Sequence, residues 1–299
     1  MAQSVSGTWS LYRGRGAGVN DETTFLGVDS ASSCKLIQLS DLHLPALFGQ
    51  SYRDRDVELQ LLQVLEHVQD RHSDLDALLL SGDLVHHGHS DAYRRLAGYL
   101  DRFDKPWYWI AGNHDSLAEM QAVRQMPLTP LITKGWQILM LDSNAAADGQ
   151  GGGSLADSEL QRLEIQLQSA QLAGASLLLV LHHNPVSVQS QWQDQIMLGN
   201  AERFWQLLGA YEVPVTVLCG HVHQAWDVIQ QGGRVLSCPS TAVQFVRAQS
   251  RLLIEIEGEA ALPGYRWLKL SAVTEGPAAI LDQPLVAGFE TAVERVVCR

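Results

Sequence analysis

Five short stretches concentrate the residue types that hold metal ions and move protons: Asp41-Leu42-His43, Gly82-Asp83, Gly112-Asn113-His114-Asp115, His182-His183-Asn184-Pro185 and Gly220-His221-Val222-His223. Taken singly, each has an ordinary explanation, because Asp and Asn after an apolar run are common turn formers and helix caps. Taken together they supply carboxylates, an amide and several imidazoles, a set that no purely structural role calls for. Alternate residues of an extended segment point the same way, so Asp-x-His and His-x-His can each grip an ion from one side. Carboxylate, amide and imidazole donors without thiolate suit iron, manganese or zinc rather than copper(I) or an iron–sulfur cluster. Two such ions about 3.5–4 Å apart activate a water and clamp both oxygens of an in-line displacement at phosphorus, with a carboxylate as the natural bridge.

The five stretches can cooperate only if the elements before them end in one place. Each follows a short apolar run: KLIQLS (35–40), ALLLSG (77–82), WYWI (107–110), SLLLVL (176–181) and VPVTVL (213–218). Trp107, Tyr108, Trp109 and Ile110 are aromatic and β-branched types that suit a strand covered on both faces. Helical spacing recurs between these runs. Val57, Leu61, Val64, Leu65 and Val68 share one face, and AYRRLAGYLDRF (92–103) and AERFWQLLGAY (201–211) read the same way. Leu160, Leu163 and Leu167 mark a further helix, with Ser154 and Asp157 spaced as a capping box. WQILMLDS (136–143) adds a strand and ADGQGGGS (147–154) a loop. Strands spaced by helices form βαβ units, which predicts an α/β fold with a largely parallel sheet, its strand ends gathering the five stretches on one edge. After residue 224, WDVIQQGGRVLS reads as a hairpin around Gly232-Gly233, and LLIEIE and YRWLKL as short strands. These predict a second, antiparallel layer that finishes the same domain.

Composition narrows the class of function. The 299 residues are 46% apolar and 18% charged, and no apolar run approaches the roughly 20 residues of a membrane span. The net charge of −12 argues against a nucleic-acid-binding protein, which would gather Lys and Arg to displace counterions. An anionic substrate must then be held locally, and bound cations would do that. Cys34, Cys219, Cys238 and Cys298 lie far apart without CxxC spacing, so neither a zinc knuckle nor a disulfide framework is expected, and a reducing, cytoplasmic setting is the default. Residues 1–33 have no seven-residue apolar core of a secretory signal and are expected to form a poorly ordered extension. Residues 34–299 are expected to form one domain that includes the C-terminal strands.

The order Asp-x-His, Gly-Asp, Gly-Asn-His-Asp, His-His, Gly-His-x-His resembles that of the calcineurin-like metallophosphoesterases, over about residues 35–224. The resemblance implies a four-layer α/β/β/α sandwich, which some schemes class as α+β, with a two-metal site at the loops after the strands. It implies that Asp41, His43 and His223 hold one ion, that Asn113, His221 and a histidine of the 182–183 pair hold the other, and that Asp83 bridges them. The fourth stretch, HHNP, has one residue more before its proline than the family's usual pattern. His182, the first residue off the strand, is the expected ligand, which would leave His183 beside the substrate or facing solvent. By the same resemblance His114 contacts the phosphate and protonates the leaving oxygen, Asp115 orients His114, and His43, Asn113 and His223 also face the substrate.

LSDLHL, SGDLVHHG, CGHVHQAWD, CPSTAVQF and GYRWLKL resemble more closely the bacterial class III cyclic nucleotide phosphodiesterases, extending the likeness to about residue 270. That implies hydrolysis of 3′,5′-cyclic AMP to 5′-AMP by a metal-bridging hydroxide, with two divalent or mixed-valence ions, iron and/or manganese, zinc being compatible. The implied partner is a small cyclic nucleotide, with no nucleic acid and no membrane; the oligomeric state stays open, a homodimer included. The rival readings are a broad-specificity phosphodiesterase for another nucleotide or lipid-linked diester, a UDP-diacylglucosamine hydrolase, a DNA repair exonuclease and a catalytically silent scaffold. The diacylglucosamine enzymes carry Arg where this chain has His114, an exonuclease needs a basic path, and a silent scaffold predicts missing ligands where none is missing. Trp107 and Trp109 are expected in the core, and His86, His87 and His89 as solvated loop residues, with a substrate-contact role left open by their place after the Asp83 loop. Trp192 and Asp194 fall where a base-contacting lid could sit.

Overall fold

The computed structural model describes residues 24–26, 33–271 and 288–298. In chain order its strands and helices are β1 (Thr24–Phe25), β2 (Ser33–Leu39), α1 (Val57–Arg71), β3 (Ala77–Ser81), α2 (Ser90–Leu100), β4 (Trp107–Ile110), α3 (Leu117–Val123), β5 (Leu131–Thr133), β6 (Trp136–Met140) and α4 (Asp157–Ala173). These are followed by β7 (Ser176–Leu181), α5 (Gln191–Asp194), α6 (Ala201–Gly209), β8 (Val215–Cys219), β9 (Trp226–Gln230), β10 (Gly233–Ser237), β11 (Gln244–Phe245), β12 (Ile254–Glu255), β13 (Gly264–Ser271) and β14 (Phe289–Arg295).

The strands form two large sheets. A seven-stranded sheet runs β1-β5-β6-β7-β8-β10-β9, and a five-stranded sheet runs β14-β13-β2-β3-β4. Each has a parallel centre, β6-β7-β8-β10 in one and β2-β3-β4 in the other. Alternation within the strands explains the layering. Leu36, Leu79, Ile110, Ile138, Leu178, Val180, Leu218 and Leu268 fill a core between the sheets. Their neighbours Ile37, Leu78, Leu80 and Trp109 point the other way, onto a core shared with Leu61, Val64 and Val68 of α1 and Tyr93 and Leu96 of α2. Leu177, Leu179 and Val217 likewise meet Leu160, Leu163 and Leu167 of α4 and Phe204 of α6. The result is the four-layer α/β/β/α sandwich. Trp107 and Trp109 are core residues, as expected.

Several expectations need correction. The five strands that carry the site do not share one sheet: β2, β3 and β4 belong to one and β7 and β8 to the other. Periodicity marks a strand as buried on both faces without saying which sheet it joins. The C-terminal strands build no separate layer. The β9–β10 hairpin widens the seven-stranded sheet, β13 pairs antiparallel with β2 in the five-stranded one, and only Ile254–Glu255 of LLIEIE is a strand, paired with β11. Ser154 does not cap α4, which begins at Asp157 after Ala156 without a side-chain cap; the Ser154 backbone pairs with Ala145 instead. Of the expected N-terminal extension, residues 1–23 and 27–32 lie outside the described residues, whereas β1 pairs in parallel with β5 and Leu26 is buried. Among the described residues no helix is long and apolar enough to cross a membrane.

Candidate metal centre and its crevice

The loops after β2, β3, β4, β7 and β8 converge from both sheets on one buried cluster. Asp41, His43, Asp83, His182, His221 and His223 are all nearly inaccessible, and Asn113 and His114 are half-buried. The loops are not extended, as Asp-x-His and His-x-His suggested. Asp41, His43, Asp83, His221 and His223 have φ between 48° and 70°, the left-handed region that side chains other than glycine seldom occupy. Backbone strain of that kind persists where the surroundings fix it, and it gathers at functional sites. Glycine supplies the remaining clearance. A Cβ on Gly112 would collide with the backbone and carboxylate of Asp83, and one on Gly82, itself at φ +96°, would meet the His182 ring at 2.5 Å.

Besides the trio His43, His86 and His114, two groups of donor atoms can be separated. In the first, His43 Nε2 lies 3.0 Å from His223 Nε2, His223 Nε2 3.5 Å from Asp41 Oδ1, and His43 Nε2 3.7 Å from Asp83 Oδ2. In the second, the Asn113 Oδ1 lies 3.0 Å from both His182 Nε2 and His221 Nδ1, which are 3.2 Å apart, and His182 Nε2 is 3.4 Å from Asp83 Oδ1. Asp83 therefore offers one oxygen to each group, and it alone belongs to both.

The imidazoles are oriented as ligands. His223 Nδ1 donates to the Val243 carbonyl at 2.6 Å and His182 Nδ1 to the Ser81 carbonyl at 2.9 Å, which turns each Nε2 into the cluster. Nitrogens that face nitrogens at about 3 Å fit a shared cation better than one another. Protonation shows the same frustration. Burial holds His43 and His221 well below the ordinary imidazole value and brings His223 to about 3, so all three are neutral. Burial raises Asp41 to about 7. Burial alone would also raise Asp83 and lower His182, but their mutual attraction wins: Asp83 is held well below its ordinary value and His182 is raised to about 9.

The remaining expected residues fall around this cluster. The His114 backbone N–H donates to Asp83 Oδ1 at 2.9 Å, and its ring lies 5.0 Å from that of His43. Asp115 does not act on the His114 ring. Its carboxylate accepts from the backbone N–H groups of Leu84, Val85 and Gly112 and from the Tyr93 hydroxyl, tying the second and third loops together. His183 neither faces solvent nor lies open to a substrate. It is fully buried, with Nδ1 2.8 Å from the Ser143 hydroxyl and Nε2 3.1 Å from the Gly151 carbonyl, and burial brings its pKa down to about 3. Gly151 in turn lies against Asn113, so His183 anchors the glycine loop beside the second donor group.

Four residues joined the crevice without a clear signal in the sequence. His86, expected in solvent, packs 4.8 Å from His114 and 4.7 Å from Tyr52 between ring centroids, and its Nδ1 is buried without a partner. His87 and His89 are exposed, as expected. Tyr52 stacks on His43 at 4.5 Å, Phe245 stacks on His223 at 4.1 Å, and Arg53 lies over both aromatic rings. Position in the loop after Asp83 left a crevice role open for His86; nothing local marks Tyr52. Asp194 serves its own loop by accepting from Ser187 and Val188, and Trp192 meets Phe245 edge-on at 5.2 Å.

Comparison with known proteins bears on the family and the fold. A profile of the family described as calcineurin-like phosphoesterase matches residues 34–225. A Vibrio vulnificus relative named as a 3′,5′-cyclic adenosine monophosphate phosphodiesterase is 35% identical over 248 residues, 81% of this chain and 88% of its own. A Pseudomonas aeruginosa relative of the same name is 35% identical over 243 residues, 80% of this chain and 86% of its own. A solved structure described as a dimetal phosphatase from Danio rerio shares the fold, with a TM-score of 0.56, 15% identity and coverage of 80% of this chain and 95% of that one.

Proposed function

The chain belongs to the calcineurin-like phosphoesterase family, and from that premise we propose that it is a metal-dependent phosphodiesterase that hydrolyses 3′,5′-cyclic AMP to 5′-AMP. The observation that carries the reading is Asp83, whose two oxygens face two separate donor groups. Asp41, His43, Asp83 and His223 would hold one cation and Asp83, Asn113, His182 and His221 the other. The donor set suits iron or manganese, with zinc compatible. When bound, such a pair provides water deprotonated near neutral pH and neutralises charge on phosphoryl oxygens.

The protein groups divide the remaining work. Asn113, His43 and His223 flank the place where the phosphate must sit. Addition of water to phosphorus, with its proton passing to solvent, breaks the bond to the ribose 3′ oxygen. That oxygen takes a proton from His114, whose charged form burial disfavours and the bound phosphate anion would restore. Asp115 and the two glycines keep the loops in register so that His114 and Asp83 hold their places. The substrate assignment rests on the named activity of the relatives, which cover most of the chain. A cytoplasmic setting fits the free thiols of Cys34, Cys219 and Cys238, which are buried and unpaired.

The test is hydrolysis of 3′,5′-cyclic AMP by the manganese-loaded chain, compared with 2′,3′-cyclic AMP, bis-p-nitrophenyl phosphate and a diacylglucosamine nucleotide, with products separated by chromatography. The highest kcat/KM is expected on 3′,5′-cyclic AMP, yielding 5′-AMP alone. Cleavage of the generic diester only would keep the metal centre and reject the substrate.

A further inference from the structure

Arg53 occupies a position that its own backbone disfavours. Tyr52 and Arg55 pair back-to-back, each N–H donating to the other's carbonyl at 3.0 Å, which closes a two-residue turn over Arg53 and Asp54. Both turn residues are left-handed, with φ 48° and 61°, the pattern of a type I′ turn. Such turns are ordinarily built from Asn-Gly or Asp-Gly, because other side chains are strained there. The glycine-containing turn Gln231-Gly232 in the β9–β10 hairpin is the more usual solution in this chain. An arginine at the first position is unexplained by local structure.

What the turn achieves is placement of a guanidinium. Arg53 Nε donates to the Tyr52 hydroxyl at 3.0 Å, and its terminal carbon lies 5.4 Å from the Tyr52 ring centroid and 5.9 Å from that of Phe245. Tyr52 and Phe245 are the rings stacked on His43 and His223, so the guanidinium sits over the wall of the first donor group. It pairs with no carboxylate among the described residues, although the chain carries a net charge of −12. A protein of that sign admits an anion most readily where a local cation meets it.

We propose that Arg53 is a substrate-binding residue whose guanidinium contacts the phosphate of the incoming diester at the mouth of the crevice. The inference rests on the phosphodiesterase reading of the same site, and it concerns the charged group that all diester substrates share rather than the base. The planar fork of donors left free beyond the Tyr52 bond suits phosphate oxygens, and a lysine could replace its charge but not its geometry.

The test uses Arg53→Asn and Arg53→Lys in the full-length, manganese-loaded protein, with 3′,5′-cyclic AMP and bis-p-nitrophenyl phosphate as substrates. Asparagine tolerates the left-handed turn, so Arg53→Asn should melt at the same temperature as the parent or higher, with unchanged metal content. Its KM is expected to rise roughly tenfold on both diesters, the usual size of a lost charge-assisted hydrogen bond, while kcat stays within about twofold. Arg53→Lys should fall between the two. An unchanged KM on both substrates would overturn the inference. So would a rise confined to 3′,5′-cyclic AMP, which would put the guanidinium against the base, or a loss of metal, which would make Arg53 structural. If the parent protein cuts only the generic diester, the cyclic AMP assignment fails and the Arg53 claim is still decided on that diester.

Discussion

His182 and His183 are adjacent and chemically identical, yet burial and partners give them opposite tasks. His182 turns Nε2 toward Asn113, His221 and Asp83, whereas His183 is held between Ser143 and Gly151. We expect His182→Ala to lose one of two bound metal ions and nearly all turnover. His183→Ala should keep both ions by elemental analysis and lose about 1–3 kcal/mol of stability in denaturant titration, the cost of unpairing buried hydrogen-bonding groups. The reverse pattern would exchange their roles. For His114→Ala, metal content should persist while kcat falls by roughly 10²–10⁴-fold, the range of general acid help. Undiminished turnover would remove His114 from proton transfer. At this scale the sequence was most informative, because residue type and order carried the resemblance. It was silent wherever a role depends on what packs nearby. Asp115 was expected against the His114 ring and bonds to backbone instead, and Tyr52 and Phe245 carry no pattern that marks them as the rings stacked on His43 and His223.

The loops after the strands owe their shape to glycine and to left-handed residues rather than to extended backbone. Gly112 lies so close to Asp83 that no side chain fits between them. Gly112→Ala should therefore displace the shared carboxylate, lower the affinity for both ions, and cost roughly 1–3 kcal/mol in metal-free stability, as overpacking does. Equilibrium metal titration and thermal melting would read the two effects, and a variant with parental metal affinity would show the contact to be harmless. The helices and buried strands were legible from periodicity because burial itself writes that pattern, as in Val57, Leu61, Val64 and Val68. The left-handed turns at Asp41, His43, His221 and His223 were not legible, since no glycine or asparagine signals them. Their conformation is imposed by tertiary contacts, such as the His221 N–H donating to the Asp41 carboxylate.

The whole molecule exists in this form because two sheets face each other and bring three loops from one and two from the other to Asp83. Strand runs revealed themselves in the sequence, but the division into two sheets did not, because a pairing partner leaves no trace in a strand's own composition. The assembled cluster has a global cost that pH exposes in the metal-free protein. His183 and His223, at about 3 in the fold, protonate near 6.5 when unfolded, so the unfolded state binds more protons between those values and stability falls as pH drops below about 6.5. His182 has the opposite sign: raised to about 9 by Asp83 against the pull of burial, it adds stability below about 6.5 that disappears as pH rises through 9. Asp41, raised by burial to about 7, has the sign of His182 and offsets part of the acid loss. Melting temperature without metal should therefore fall in acid through the several neutral imidazoles, with a smaller loss as pH rises from about 6.5 to 9, and a flat profile would contradict the buried neutral imidazoles. The central claim is that Asp83 joins two cations. Electron paramagnetic resonance of the manganese-loaded protein, with elemental analysis, tests it most directly. The parent should hold two ions per chain and give the spectrum of an exchange-coupled pair, while Asp83→Ala loses the coupling together with bound metal and turnover. A single uncoupled ion in the parent, or an Asp83→Ala variant that keeps the coupled pair, would contradict it.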